Sequence, residues 1–284
     1  MSQPDAIQIQ LVLISHTNAG KTTLARTLVG LDVGEVRDAA HVTTTSDAHP
    51  LLTSPAGDAL LLWDTPGFGD SVRLAKRLAH ADNPIGWLLR EVIDRYRDRP
   101  FWLSQQALRT ARESADVVLY LVNASEDPQD AGYLDAEMKV LDWLGKPVMV
   151  LLNQMGPPRP AGDEQAEQER WRQGLAAYPA VRDVIPLDAF ARCWVHERVF
   201  YDAIGALVPD EKKTAYRRLT AQWEQDNQAR FHASMALVAQ QVGAAARDSE
   251  PLSMVSSTGR PVLETMARAV GLGERAGARR EDRA

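Results

Sequence analysis

The run IQIQLVLISHTNAGKTTLARTLVG, Ile7 to Gly30, constrains the fold of this chain more than any other. Its β-branched and leucine residues read as a buried strand, its glycine as a turn, and the apolar spacing of TTLARTLVG as a helix. A Gly-Lys-Thr at such a strand-to-helix junction is a phosphate-binding loop. Successive backbone N–H groups point inward, the helix start adds positive potential, the lysine reaches the β and γ phosphates, and the hydroxyl ligates Mg²⁺. Those roles fall to Asn18, Ala19, Gly20, Lys21, Thr22 and Thr23 as the cradle, with Lys21 on the phosphates and Thr22 on the metal. The pattern G-x-x-x-x-G-K-[ST] departs at one letter, Ser15 standing for the first glycine. Serine adopts many of the same backbone conformations at modest cost.

A second strand, within DALLLWDTPG (Asp58 to Gly67), ends in Asp64-Thr65-Pro66-Gly67. Asp64 is placed to hold Mg²⁺ through water, and the Gly67 N–H to contact a γ phosphate. Between these motifs lie Thr43, Thr44 and Thr45, of which Thr43 or Thr44 closes over the metal as a switch residue, the register being open. Three more apolar runs, Ala115 to Ser125, Lys146 to Gln154 and Val181 to Phe190, alternate with helical patterns at Asp135 to Leu144 and Glu164 to Tyr178. Five strands in βα units give an α/β fold around a parallel sheet, whose ligands sit at the carboxyl ends of the strands.

The series Asn18-Ala19-Gly20-Lys21-Thr22, the threonine cluster, Asp64-Thr65-Pro66-Gly67 and Asn153 resembles that of Era- and TrmE-like bacterial GTPases of the translation-factor class, over roughly residues 7–207. The resemblance implies a Ras-like P-loop NTPase fold, a three-layer sandwich with a mostly parallel sheet. It also implies GTP and GDP as ligands, Mg²⁺, and a switch that changes partners when the γ phosphate leaves. Lys21, Thr43, Thr44 and Gly67 are then the catalytic residues, and Thr22, Thr43, Thr44 and Asp64 the metal site. Phe68 stands where Ras-type enzymes keep a water-orienting glutamine, so intrinsic hydrolysis is expected to be slow. In TrmE-like members the asparagine at the position of Asn18 helps bind K⁺, which makes potassium stimulation an expectation here; a turn residue satisfying its own loop is the plainer role.

The guanine-reading motif of this class is N-K-x-D, and this chain has Asn153-Gln154-Met155-Gly156. Loss of a charge-assisted pair worth about 1.5 to 3 kcal/mol predicts guanine preference weakened by one to two decades. Asp188 and Ala189, in PLDAF, fall where the class offers a backbone N–H to the base, so Asn153, Gln154, Asp188 and Ala189 complete the expected nucleotide contacts. The phosphate half of the motif set is intact and the base half eroded.

Residues 68–114 are longer than an ordinary crossover and read as a helical insertion after the second switch, with patterns at Ser71 to His80, Pro84 to Tyr96 and Phe101 to Glu113. Over Ser71 to Glu113 nine Lys or Arg face five Asp or Glu, which fits either a solvated face or a docking face for a protein partner. Beyond Pro209, Tyr216, Leu219, Trp223, Phe231, Met235, Val238 and Val242 form the stripe of a long amphipathic helix, which packs on its own chain or on a partner helix, self-association included. The expected division is 1–208 for the GTPase domain, 209–270 for a helical C-terminal extension and 271–284 for a disordered tail. A net charge of −6 carries no strong nucleic-acid signal. One cysteine, no signal-peptide pattern and no apolar run of about 18 residues read as cytoplasmic, with membrane contact at most peripheral. His16, His41 and His49 lack metal spacing and read as loop residues; Cys193 reads as an inert helix thiol and the tryptophans at 87, 102, 143, 171, 194 and 223 as core. Two functions stand against each other: a slow Mg²⁺-dependent GTPase switch, and a non-hydrolysing nucleotide-binding assembly module with relaxed base specificity as a further variant.

Overall fold

The computed structural model describes residues 6–17, 19–30, 47–79, 99–189 and 194–247. Strand β1 (Gln8–Ser15) leads to α1 (Lys21–Val29), then β2 (Asp47–Thr53), β3 (Ala59–Asp64), α2 (Ser71–Ala79), α3 (Arg99–Ser114) and β4 (Val117–Asn123). There follow α4 (Leu134–Leu144), β5 (Val148–Asn153), α5 (Ala161–Leu175), β6 (Val181–Pro186), α6 (Trp194–Leu207), a 3₁₀ turn (Asp210–Lys212) and α7 (Lys213–Arg247). The six strands form one sheet in the order β2-β3-β1-β4-β5-β6. All pairs are parallel except β2–β3.

Strands β1, β4 and β5 are apolar almost throughout because both faces are covered. On one face Ile9, Leu11, Leu13, Leu60 and Leu62 pack with α1 (Leu24, Leu28), α6 (Phe200, Ile204) and α7 (Tyr216, Leu219, Trp223). On the other, Val12, Ile14, Val118 and Tyr120 pack with Leu74, Phe101, Leu108, Met138, Leu141 and Trp171 from α2 to α5. These are the three layers expected for the fold class.

Strand β2 is the element that the sequence reading misses. It is seven residues long and contains Pro50, beside which the register with β3 shifts. An edge strand tolerates a proline that the interior of a sheet does not, so its pattern is weak. The expected helices at Ser71, Phe101, Asp135, Glu164 and Glu211 are present with shifted ends. The pattern Pro84 to Tyr96 and Cys193 lie outside the described residues. Trp171 and Trp223 are buried, whereas Trp102 and Trp143 are only half-buried.

Two compact units are distinguished, residues 1–228 and 229–284. Within the first, Ala215, Tyr216, Leu219 and Trp223 of α7 are buried. Ion pairs from Lys212 to Asp116 at 2.7 Å and from Arg218 to Asp58 at 2.8 Å attach this segment to the starts of β4 and β3. Within the second, Phe231, Met235, Val238 and Val242 are exposed. The expected burial of the stripe therefore holds for its first half only, because periodicity reports which face is apolar and not what covers it.

Candidate functional site

Strand β1 delivers the chain to the loop without a glycine. Ser15 is the last residue of the strand, its side chain is buried, and its hydroxyl donates to the His16 carbonyl at 2.7 Å. Gln154 is the one non-glycine with positive φ among the described residues, so the backbone at Ser15 is one that any residue adopts. At Gly20 the demand is real. Its φ of 87° ends the turn, and an added Cβ would lie 2.7 Å from Asn153 Nδ2.

Three side chains meet at the start of α1. Lys21 Nζ donates to Asp64 Oδ1 at 2.5 Å and Thr22 Oγ1 to Asp64 Oδ2 at 3.2 Å. Lys21 and Asp64 are both buried. Burial pushes the Lys21 ammonium below the ordinary lysine range, and the Asp64 carboxylate opposes that shift. One hydroxyl and one carboxylate are the hard oxygen donors that suit Mg²⁺, which keeps waters and phosphate oxygens as its remaining ligands. Among the described residues no cluster of three or more His, Cys, Asp or Glu forms a metal cage of another kind.

The Asp64 loop is fastened to β1. Thr65 Oγ1 donates to the Leu13 carbonyl at 2.7 Å, the Phe68 N–H to the Ser15 carbonyl at 2.9 Å, and Thr17 Oγ1 to the Phe68 carbonyl at 2.9 Å. Phe68 forms a parallel bridge with His16, and its ring is fully buried in the core between the sheet and α2 to α5. Gly67 lies between these ties, where an added Cβ would sit 3.5 Å from the Ser15 carbonyl.

On the far side Asn153 ends β5, fully buried. Its Nδ2 donates to the Ala19 carbonyl at 3.0 Å and its Oδ1 accepts the Ala189 N–H at 3.0 Å. Thr27 Oγ1 donates to the Ala189 carbonyl at 3.0 Å. The Asp188 carboxylate accepts the Met155 N–H at 2.9 Å, which braces the turn made by Gln154 (φ 59°) and Gly156 (φ 79°). Gln154 is exposed and Ala189 buried. Of the expected site residues, Ala19 to Thr23, Asp64, Gly67, Asn153, Gln154, Asp188 and Ala189 thus sit on adjoining loops at the carboxyl ends of β1, β3 and β5 and just past β6. Asn18, Thr43, Thr44 and Thr45 lie outside the described residues.

Sequence reasoning passed over a second cluster beside the loop. His16, read as a loop residue, donates or accepts at Nδ1 with Glu137 Oε1 over 2.7 Å and stacks on Tyr133 with ring centres 4.0 Å apart. Tyr120 donates its hydroxyl to Glu137 Oε2 at 2.5 Å. Glu137 is fully buried. Burial holds its carboxyl above the ordinary glutamate range, against the pull of hydrogen bonds from His16 and Tyr120. A glutamate on the apolar stripe of α4, between Ala136 and Met138, is the one signal that could have pointed to it.

Residues 10–154, just over half of the chain, match the family of 50S ribosome-binding GTPases. No protein of curated function matches. Among solved structures, an Aquifex aeolicus Era variant bound to GDP and AlF₄⁻ aligns at 19% identity with a TM-score of 0.52, covering 72% of this chain and 58% of that one. Era in complex with MgGDPNP and nucleotides 1506–1542 of 16S ribosomal RNA aligns at 18% with the same TM-score and the same shares. The matched part spans less than two thirds of either Era chain, and at such identity the likeness is one of fold. With the matched loops in place on that fold, the chain belongs to the 50S ribosome-binding GTPase family.

Proposed function

We propose that this protein is a Mg²⁺-dependent GTP-binding switch with slow intrinsic hydrolysis. The observation that carries the reading is the convergence of Lys21, Thr22 and Asp64 at the N-terminus of α1. Lys21 leaves Asp64 for the β and γ phosphates when nucleotide enters, Thr22 and Asp64 hold Mg²⁺, and the Gly67 N–H senses the γ phosphate. Thr43 or Thr44 supplies the closing hydroxyl. Hydrolysis is slow because the side chain after Gly67 is apolar and turned into the core, so a partner or a K⁺ ion held at Asn18 supplies the missing stabilisation. The switch is residues 1–208; the helices after Gly67 and the extension from 209 offer the docking faces for a protein partner, and the protein acts in the cytoplasm.

Phosphate release from the Mg²⁺·GTP complex tests this reading. A rate at or below about 10⁻⁴ s⁻¹, slower than that of an unassisted switch GTPase which keeps its glutamine, is expected, and it rises when K⁺ replaces Na⁺. Equal rates in the two salts remove the potassium role, and an intact γ phosphate after days converts the protein into a non-hydrolysing module.

A second reading concerns the base. Asp188, the one carboxylate among the described residues 153–156 and 187–189, accepts the Met155 N–H. With Gly156 offering no acceptor to the N1–H and N2–H₂ of guanine, adenine nucleotides compete. Gly156→Asp, whose side chain meets no atom within 4 Å but sits on a left-handed backbone (φ 79°) at some cost in stability, then raises the GDP over ADP preference by about one to two decades; strong guanine preference in the unaltered protein contradicts this reading.

A further inference from the structure

The neighbours of Gly67 are fastened on both sides. Before it, the buried Thr65 bonds to the Leu13 carbonyl of β1, and the ring of Pro66 fixes that residue's φ. After it, both backbone groups of Phe68 are held by the phosphate loop: the N–H donates to the Ser15 carbonyl and the carbonyl accepts the Thr17 hydroxyl, each at 2.9 Å. The next two N–H groups, of Gly69 and Asp70, donate to a single oxygen, Ser104 Oγ, at 2.9 and 3.4 Å. Asp70 in turn accepts the Arg73 N–H at 3.1 Å and so starts α2.

Ser104 lies on α3, 35 residues from Gly69, and is fully buried. Its helix neighbours Phe101, Leu103, Ala107 and Leu108 are apolar and buried as well. An apolar side chain would fill that place more cheaply than a hydroxyl. What the hydroxyl adds is an acceptor aimed at the chain just past Gly67. The Arg73 guanidinium over the Phe101 ring, 4.2 Å from its centre, packs α2 on α3 beside the same point. Thr17 stands just before the cradle of residues 18–23, and its hydroxyl is turned to Phe68. Gly67 itself lies close against the loop, where an added Cβ would be 3.5 Å from the Thr17 Cα. Because peptide planes are rigid, a displacement of Phe68 or Gly69 carries the Gly67 N–H with it. A hydrogen bond from that N–H to a phosphate oxygen weakens steeply with misalignment. GDP has no γ phosphate, so the placing of Gly67 matters to GTP alone.

We propose that Thr17 and Ser104 are positioning residues that hold the Gly67 N–H in place for the γ phosphate, one from the phosphate loop and the other from α3. The proposal rests on the switch reading above. Calorimetric titration of the nucleotide-free full chain with GDP and with a non-hydrolysable GTP analogue, both with Mg²⁺, tests it. In Thr17→Val and in Ser104→Ala, affinity for the analogue falls about fivefold or more while GDP affinity stays within about twofold. Thr17→Ser, which keeps the hydroxyl, restores the analogue affinity. An equal loss for both nucleotides is the mark of a purely structural role and overturns the proposal, as does analogue affinity within twofold of the unaltered protein in either variant. A Thr17→Ser variant that binds as poorly as Thr17→Val overturns it too. If Ser104→Ala does not fold, the Thr17 pair decides by the same criteria. No binding of either nucleotide to the unaltered protein defeats the switch reading and the proposal with it, whereas GDP binding with no such selective loss defeats the proposal alone.

Discussion

At Gly20 the left-handed backbone and the 2.7 Å that would separate an added Cβ from Asn153 Nδ2 act on one atom group. Asn153 is the side chain that bonds Ala19 to Ala189, so a methyl there disturbs the phosphate loop and the base loop together. Gly20→Ala is expected to cost about 1 to 3 kcal/mol of stability and at least about tenfold in GDP affinity, measured by thermal melts and calorimetry; affinity within twofold of the unaltered protein contradicts the geometry. Ser15 teaches the opposite lesson. The pattern asks for glycine, yet the strand simply runs on to that residue and its hydroxyl is satisfied locally. The phosphate half of the site was legible because its residue types follow from backbone and charge requirements at fixed spacing. Glu137 was not, since the link from α4 to His16 spans 121 residues and no local pattern encodes it.

Among the elements, α7 divides sharply in its burial. Leu219 is fully buried in the core that α1, α6 and α7 form with one face of the sheet, and Val238 is 53% exposed. Leu219→Ala is expected to cost about 2 to 5 kcal/mol and Val238→Ala less than about 0.5 kcal/mol, read from denaturant unfolding; equal costs contradict the packing. The attachment of this helix also carries a pH signature. Hydrogen bonds from Arg218, Ile7 and Ser54 meet at Asp58, and the Arg218 guanidinium holds the carboxyl below the usual aspartate range despite its burial. A depressed folded-state pKa contributes stability that is complete above the unfolded value of about 3.9 and is lost as pH falls through the folded value. Asp58→Asn therefore lowers the melting temperature at pH 7, and the gap to the unaltered protein narrows below pH 4. A gap that stays constant from pH 7 to pH 3 contradicts the assignment. Long apolar strands and helices were readable from periodicity; β2 was not, being an edge strand broken by a proline, and neither was the end of cover along α7.

For the molecule as a whole, one sheet gathers motifs far apart in the chain onto adjoining loops, with Lys21, Asp64, Asn153 and Ala189 brought together by the order β3-β1-β4-β5-β6. Strands alternating with helices call for parallel crossovers, which is why the fold class could be argued from their succession along the chain, whereas the order of the strands could not. The partner, by contrast, is written in surfaces whose cover no chain-internal rule supplies. The central claim is that this gathered site binds a nucleoside phosphate through Lys21 and Mg²⁺. Calorimetric titration of nucleotide-free protein with GDP and Mg²⁺, beside the Lys21→Ala variant, tests it directly. The account predicts one site per chain and a loss of at least about a hundredfold in the variant, since a buried charge-assisted contact to phosphate is removed; GDP affinity unchanged in Lys21→Ala, or no binding to the unaltered protein, would contradict it.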